Sequence, residues 1–190
     1  MIVNNLALLL QFPVRNTDHK ALIMQLTEFN QASDSDIELL LKQCVHIDRW
    51  AEELKQQRPF ASRDELLEAA KRQAQTWTWE EISKALSTHP RIGEKQALAA
   101  LTAKEEGFSE REQAAISQDE ETQAALLKGN LAYEKKFDFI FLIRAAGRSS
   151  EEILTALNYR LVNDIDTEKR IVHQQLLEIA LLRLAQEIDA

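Results

Sequence analysis

The sequence predicts an all-α fold, a single compact domain built from several helices. Glycine and proline are scarce, with 4 and 3 among the 190 residues, while Ala, Leu, Glu, Lys and Gln dominate. The S/T-x-x-E spacing of a capping box, which marks helix N-termini, recurs along the chain. We find no internal repeat and no low-complexity linker. We therefore predict one helical domain at residues 16–190, preceded by an N-terminal extension at residues 1–15.

Caps and apolar spacing predict the helices in order. Capping boxes that begin at Ser62, Thr78, Ser109 and Ser149 predict four helix starts, and the first, second and fourth of these helices should end near residues 75, 86 and 161. Apolar periodicity predicts further helices near residues 18–28, 34–43, 46–57, 119–136 and 165–187.

Residues 137–143, FDFIFLI, break the helical pattern. Their phenylalanines recur at every second residue, which is typical of an extended strand. Because no partner strand is visible in the sequence, we predict a short irregular or extended buried segment between helices.

Charge and cysteine content narrow the classes of function. The net charge of −8 argues against nucleic acid or an anionic membrane as partner, because basic surface supplies the affinity for both. It also weighs against a helix-turn-helix DNA-binding protein. The single cysteine, Cys44, excludes an internal disulfide and indicates a reducing compartment, so we expect a cytoplasmic protein. Cys44 lies in an apolar pattern, which favours a buried structural thiol over a nucleophile.

The stretch STHPRIGE, at residues 87–94, lies between two helical patterns. It contains one of the four histidines, one of the three prolines and one of the four glycines of the chain. The residue before a proline is pushed out of the α region, so we expect His89 to be extended at a helix end, with Pro90 fixing the chain behind it. An imidazole held in this way is suited to acid–base chemistry near neutral pH. The alternative is that His89 only caps the helix and Pro90 stops it.

Two further side chains stand out. Glu112 occupies the third helical position of the predicted capping box at Ser109, so a cap is its default interpretation, and a carboxylate near a ligand is the alternative. In the last helix, Arg183 projects from the apolar stripe of Val172 and Ile179. A buried arginine needs a partner, so it pairs with a buried carboxylate, binds an anion in a pocket, or meets a partner helix.

Motifs for metal and cofactor chemistry are missing from the sequence. The other three histidines, His19, His46 and His173, show no ligand spacing, and no HExxH or CxxC motif occurs, so we expect no metal site. The four glycines lie far apart, which removes the Gly-rich loops that bind nucleotides.

Taken together, these stretches resemble the 2-oxo-4-hydroxy-4-carboxy-5-ureidoimidazoline (OHCU) decarboxylases of urate breakdown. The similarity covers roughly residues 20 to 185. The ordered motifs that carry it are RPF at residues 58–60, HPRIG at 89–93, SEREQ at 109–113, N-x-x-Y-x-x-x-F at 130–137 with Phe139 and Phe141, R-L-x-N at 160–163 with Glu168, and Arg183-Leu184.

The resemblance implies an all-helical, cofactor-free carboxy-lyase, often a homodimer, that acts on a small molecule and forms (S)-allantoin. It implies His89, Glu112 and Arg183 as catalytic residues, and these are the three side chains singled out above. The substrate-binding residues that it implies are Pro90, Ser109, Gln113, Phe141 and Ile143. Asp138 and Ile140 stand where the family usually has glycine and proline. The rival interpretation is a non-catalytic helical interaction module, in which Glu112 is only a cap.

Overall fold

The computed structural model describes residues 23–93, 102–117 and 119–190. The predicted extension at residues 1–15 lies outside these residues. Within them the elements run in the order β1 Met24–Gln25, α1 Leu26–Gln31, α2 Asp34–Cys44, α3 Asp48–Gln56, α4 Arg63–Ala74, α5 Trp79–Leu86, α6 Ala103–Glu112, α7 Glu120–Phe137, α8 Ser150–Arg160, α9 Ile165–Glu187 and β2 Ile188–Asp189. The predicted all-α class is confirmed.

Side-chain caps explain most helix starts. Ser62, Thr78 and Ser149 each accept a hydrogen bond from the backbone N–H three residues later, as their spacing predicts. Asp119 and Asp164 cap α7 and α9 in the same way. These caps satisfy backbone donors that the first helical turn leaves without intrahelical partners.

The predicted helix start at Ser109 is wrong. Helix α6 begins seven residues earlier, where Thr102 and Glu105 form the capping box. Two capping-box spacings therefore lie two turns apart, and the helix that starts at the first continues through the second. Ser109 and Glu112 consequently lie in the last turn of α6 rather than in its first.

The N-terminal helix is also shorter than predicted. Of the predicted range 18–28, residues 18–22 lie outside the described part, and α1 begins only at Leu26. Met24 and Gln25 instead form a two-residue strand that pairs in parallel with Ile188 and Asp189. This pairing joins the first described residues to the end of the last helix.

The segment at residues 137–143 is irregular, as predicted. Helix α7 ends at Phe137, and Asp138 follows it in the left-handed conformation with φ 65°. This position favours glycine, although aspartate tolerates it better than most side chains. Beyond it, Phe139 and Phe141 pack edge-on against Tyr133 at 5.9 and 5.2 Å between ring centroids.

Helix α9 is the central element of the larger of two hydrophobic clusters. Its buried stripe includes Val172, Leu176, Ile179 and Arg183, which confirms the predicted projection of the arginine from an apolar face. This cluster joins α9 to α1–α5, and the second cluster joins α7 and α8 to the residues around Ile92. None of the helices in the described ranges has an apolar stretch long enough to cross a membrane.

Candidate active site

A small pocket opens where the link between α2 and α3, the end of α5, the middle of α6 and the face of α9 meet. Its walls are formed by Cys44, Val45, His46, Ala85, Thr88, His89, Pro90, Glu105, Ser109, Leu176 and Arg183. The cavity volume is about 20 Å³, which is room for about one water molecule. A small organic ligand therefore enters only if side chains of the wall move.

His89 contributes a ring nitrogen that no described residue engages. Its backbone N–H donates to Leu86 O at 3.1 Å, and Nδ1 lies 3.4 Å from Pro90 O. Nε2 is buried, and within the described ranges it has no hydrogen-bond partner. Burial and, next, the positive charge of Arg183 lower the pKa of His89 to about 3. The imidazole is therefore neutral at physiological pH, with Nε2 able to accept a proton when Nδ1 carries the hydrogen.

Arg183 and Glu112 form a buried, two-pronged ion pair. Arg183 Nε donates to Glu112 Oε1 at 2.7 Å, and Nη2 donates to Oε2 at 2.9 Å. Nη1 also donates to Cys44 O at 3.3 Å, and the guanidinium lies 5.3 Å from the ring centre of Phe108. Both residues are at most 9% exposed. Three of the five N–H groups of Arg183 have these partners, which leaves two that no described residue engages.

The cap assigned to Glu112 by default is wrong. Glu112 is the last residue of α6, so it lies at the negative end of the helix, and its carboxylate faces Arg183 rather than a helix N-terminus. The sequence left open whether Arg183 pairs with a buried carboxylate, binds an anion in a pocket or meets a partner helix. The structure shows the carboxylate pair, and the paired guanidinium also lines the cavity. Ser109, one turn before Glu112, lines the same cavity and is buried.

The loop that carries His89 and Pro90 is held by side chains of neighbouring elements. Gln113 Oε1 accepts the Gly93 N–H at 2.9 Å, and Asn130 Nδ2 donates to Ile92 O at 3.0 Å. Gly93 has φ +80°, a backbone conformation that glycine adopts without strain. Gln113 therefore holds the loop rather than lining the cavity.

Phe141 and Ile143 lie apart from the cavity. Both are buried in the second hydrophobic cluster and neither is part of the pocket wall. Between them, the carbonyl of Leu142 accepts a hydrogen bond from Arg160 Nη1 at 2.7 Å. Arg160 is itself fixed by the fully buried Glu168, so this irregular segment is held by a buried ion pair.

That ion pair and its hydrogen bonds involve four of the motif residues identified in the sequence, which are Tyr133, Arg160, Asn163 and Glu168. Glu168 accepts hydrogen bonds from Arg160, from the hydroxyl of Tyr133 and from Asn163 Nδ2. A buried carboxylate without such donors would be costly. The R-L-x-N motif and Tyr133 therefore belong to a structural network that joins α7, α8 and α9.

His46 and Glu105 are the two acid–base side chains of the pocket wall that were not predicted as site residues from the sequence. His46 Nε2 makes a short contact with Glu105 Oε1, and the other oxygen of Glu105 accepts from the N–H of Thr102. The spacing of Thr102 and Glu105 is itself a capping-box signal that could have revealed the carboxylate. In the part of the chain that the structure describes, no group of three or more His, Cys, Asp or Glu side chains could hold a metal ion.

Comparison with known proteins identifies the family to which the chain belongs. The family model described as OHCU decarboxylase matches residues 30–185. The chain belongs to the OHCU decarboxylase family. It is 29% identical over 140 residues to the 2-oxo-4-hydroxy-4-carboxy-5-ureidoimidazoline decarboxylase of Haloferax volcanii, which covers 74% of this chain and 81% of that protein.

Two further similarities fit this family. The chain is 28% identical over 170 residues to the uric acid degradation bifunctional protein of Bacillus sp. strain TB-90. That match covers 87% of this chain but only 32% of the relative, so the chain corresponds to about one third of the bifunctional protein. A crystal structure of an OHCU decarboxylase in the presence of (S)-allantoin is similar with a TM-score of 0.64 and 25% identity, over 80% of this chain and 96% of the other.

Proposed function

We propose that this chain decarboxylates 2-oxo-4-hydroxy-4-carboxy-5-ureidoimidazoline to (S)-allantoin, a step of urate breakdown, without a cofactor. The observation that carries this proposal is the buried His89 Nε2 on a cavity that it shares with the paired guanidinium of Arg183. Membership of the OHCU decarboxylase family supports the reaction class. The family match disfavours the interaction module that the sequence left open.

The chemistry requires little beyond acid–base groups. The substrate bears a carboxylate and a hydroxyl on one ring carbon, and the adjacent ring carbon belongs to a C=N bond. When the carboxylate leaves as CO₂, its bonding electrons flow into that C=N bond, so the substrate is its own electron sink. Neutral His89 takes the hydroxyl proton at Nε2 and returns a proton to one face of the adjacent carbon, which sets the handedness of allantoin.

Arg183 and Glu112 bind and orient the substrate in this proposal. The two N–H groups of Arg183 without described partners bind a substrate oxygen and stabilise the negative charge that develops on it. Glu112 is held in place by Arg183, and its oxygens keep lone pairs that can accept ureido N–H groups. Ser109 contributes a buried hydroxyl to the cavity wall, which suits an orienting hydrogen bond.

Pro90, Gln113, Phe141 and Ile143 have indirect roles in this proposal. Pro90 and Gln113 hold the His89 loop. Phe141 and Ile143 flank the anchored carbonyl of Leu142, and we propose that this segment approaches the substrate when the cavity widens. The small volume of the cavity supports such widening, because a substrate this size does not fit otherwise.

Circular dichroism of the product tests the function. Urate is oxidised and ring-opened in situ, and the chain is added or withheld. A fast rise of one-handed allantoin signal only with the chain is expected, because the uncatalysed decay gives racemic product. A folded chain that produces no such signal would refute the proposal.

Two variants test the assigned roles. His89→Ala should lower turnover by about 10²-fold, the usual scale for loss of a general acid–base group, and unchanged turnover would refute the role. Arg183→Lys keeps the charge but cannot reproduce the planar fork, so both binding and rate should fall. If neither changed, Arg183 would not bind substrate.

We also propose a homodimer and a cytoplasmic location. The homodimer is what the family resemblance implies, and Leu127 and Leu131, exposed at 53% and 59% on one face of α7, support it. Light scattering after gel filtration should give twice the chain mass of 21.8 kDa. The buried free thiol of Cys44 supports a reducing location, which cell fractionation tests.

A further inference from the structure

Decarboxylation of a carboxylate has a proton requirement that His89 alone does not meet. The C–C bond to the carboxylate breaks, CO₂ leaves, and the remaining skeleton gains one proton, so R–CO₂⁻ + H⁺ gives R–H + CO₂. The hydroxyl proton that His89 moves stays within the substrate and does not supply this one. Every turnover therefore draws one proton from solvent into the site. This reasoning rests on the function proposed above.

The buried groups of the cavity are poorly suited to bring in that proton. His89 Nε2 is buried, and the depressed pKa of His89 leaves the ring neutral. The guanidinium of Arg183 is buried and engaged by Glu112. Ser109 is only 2% exposed, and its hydroxyl does not store a proton at neutral pH. A proton carrier has to reach both the cavity and bulk water.

His46 has both contacts. It lies in the extended link between α2 and α3 and lines the same cavity as His89 and Arg183. Its side chain is 47% exposed, so this residue meets bulk water as well as lining the cavity. Of the five titratable side chains that line the pocket, which belong to Cys44, His46, His89, Glu105 and Arg183, it is the only one that is largely exposed.

Glu105 fixes the orientation of this imidazole. One carboxylate oxygen contacts His46 Nε2, and the other accepts from the N–H of Thr102 at 2.8 Å and from its hydroxyl at 2.7 Å. Burial would raise the pKa of Glu105, but the hydrogen bonds from Thr102 and His46 outweigh it and hold that pKa below its usual value. Glu105 is therefore an anion that contacts the imidazole of His46.

We propose that His46, oriented by Glu105, carries the proton that each decarboxylation consumes from bulk water into the cavity. Imidazolium His46 gives its proton to the substrate ring nitrogen on which the electron pair arrives, directly or through one water. It is then neutral and takes a new proton from solvent. Atoms and charge balance, because R–CO₂⁻ and HisH⁺ give R–H, CO₂ and His.

The variant His46→Gln separates proton transfer from structure. A glutamine amide can still donate a hydrogen bond to Glu105, but it neither gains nor loses a proton near neutral pH. We expect kcat to fall by about 10- to 100-fold, the scale of general acid–base effects, while KM changes by less than about 2-fold. His173→Gln is the matched control, because His173 binds Ala74 O and stacks on Trp77, outside the cavity wall.

Rescue by small proton carriers provides the decisive measurement. Turnover is followed at constant ionic strength with increasing imidazole or phosphate, after subtraction of the buffer-catalysed decay without protein. The kcat of His46→Gln should rise with buffer concentration towards that of the wild-type chain, while the wild type and His173→Gln stay constant. Glu105→Gln, which keeps the capping box, should show a smaller loss with the same buffer response.

The outcomes are distinct. A wild-type kcat for His46→Gln in dilute buffer would overturn the proposal. A lowered kcat that does not change with buffer concentration would also overturn the proposal, because that result would indicate a structural role for His46. Glu105→Gln with wild-type kcat would overturn the orienting role of Glu105. If the wild-type chain itself were inactive, the proposed function would fail instead of this inference.

Discussion

His89 makes a pH-dependent contribution to stability that can be worked out from its environment. Its pKa falls from 6.5 in an exposed setting to about 3 in the folded chain, first through burial and then through Arg183. Between these values the unfolded chain binds a proton that the folded chain does not. The contribution of His89 to stability is therefore fully present above pH 6.5 and is lost as the pH falls towards 3.

The size of this loss follows from the two pKa values. Each pH unit below 6.5 favours the unfolded chain by about 1.4 kcal/mol. Because of His89, the free energy of unfolding at pH 5 is therefore about 2 kcal/mol lower than at pH 8. Replacement by glutamine, which does not titrate, removes this contribution and leaves those of all other groups in place.

Urea unfolding of the wild type and of His89→Gln at pH 8 and pH 5 measures the contribution of His89 to stability. The quantity of interest is the difference in unfolding free energy between the two proteins, because other titrating groups cancel in that difference. When the pH is lowered from 8 to 5, the unfolding free energy of His89→Gln should rise by about 2 kcal/mol relative to that of the wild type. A difference that is the same at both pH values would show that His89 titrates normally in the folded chain, and a base that stays neutral would be ruled out.

Three further predictions concern the supports of the site. Glu112→Ala should cost about 3–5 kcal/mol in urea unfolding because it leaves Arg183 buried without its partner, and a loss below about 1 kcal/mol would contradict the buried pair. Asn130→Ala frees the carbonyl of Ile92 and should cost about 1–3 kcal/mol and lower kcat, so an unchanged kcat would show that this bond does not position the loop. Asp138→Gly should raise the free energy of unfolding by at most about 1–2 kcal/mol, because the left-handed conformation with φ 65° is costly for residues other than glycine, and a lower unfolding free energy would contradict that reasoning.

Local signals in the sequence were sufficient for most of the helices. The caps at Ser62, Thr78 and Ser149 were predicted because a cap involves residues only three positions apart. The burial of Arg183 was predicted for a similar reason, since the stripe around it has the helical period. Each of these features can be recognised within one turn or one helix.

The errors arose where a residue has two possible partners at different distances along the chain. Glu112 fits a cap three residues from Ser109, yet it pairs with Arg183, which is 71 residues away. The local pattern carries no information about the second partner, so it favoured the wrong one. His46 was missed for the same reason, because its partner Glu105 is 59 residues away.

The charges around His89 depend on one another, which limits how the site can be altered. The positive charge of Arg183 helps to keep His89 neutral, while Glu112 balances that charge inside the fold. Loss of Glu112 would leave the positive charge unbalanced and disfavour protonation of His89 further. Loss of Arg183 would leave a buried carboxylate instead and favour protonation. The neutral state of His89 therefore depends on Arg183 and not on Glu112, and a substitution at either residue changes the proton affinity of His89 as well as the substrate contact.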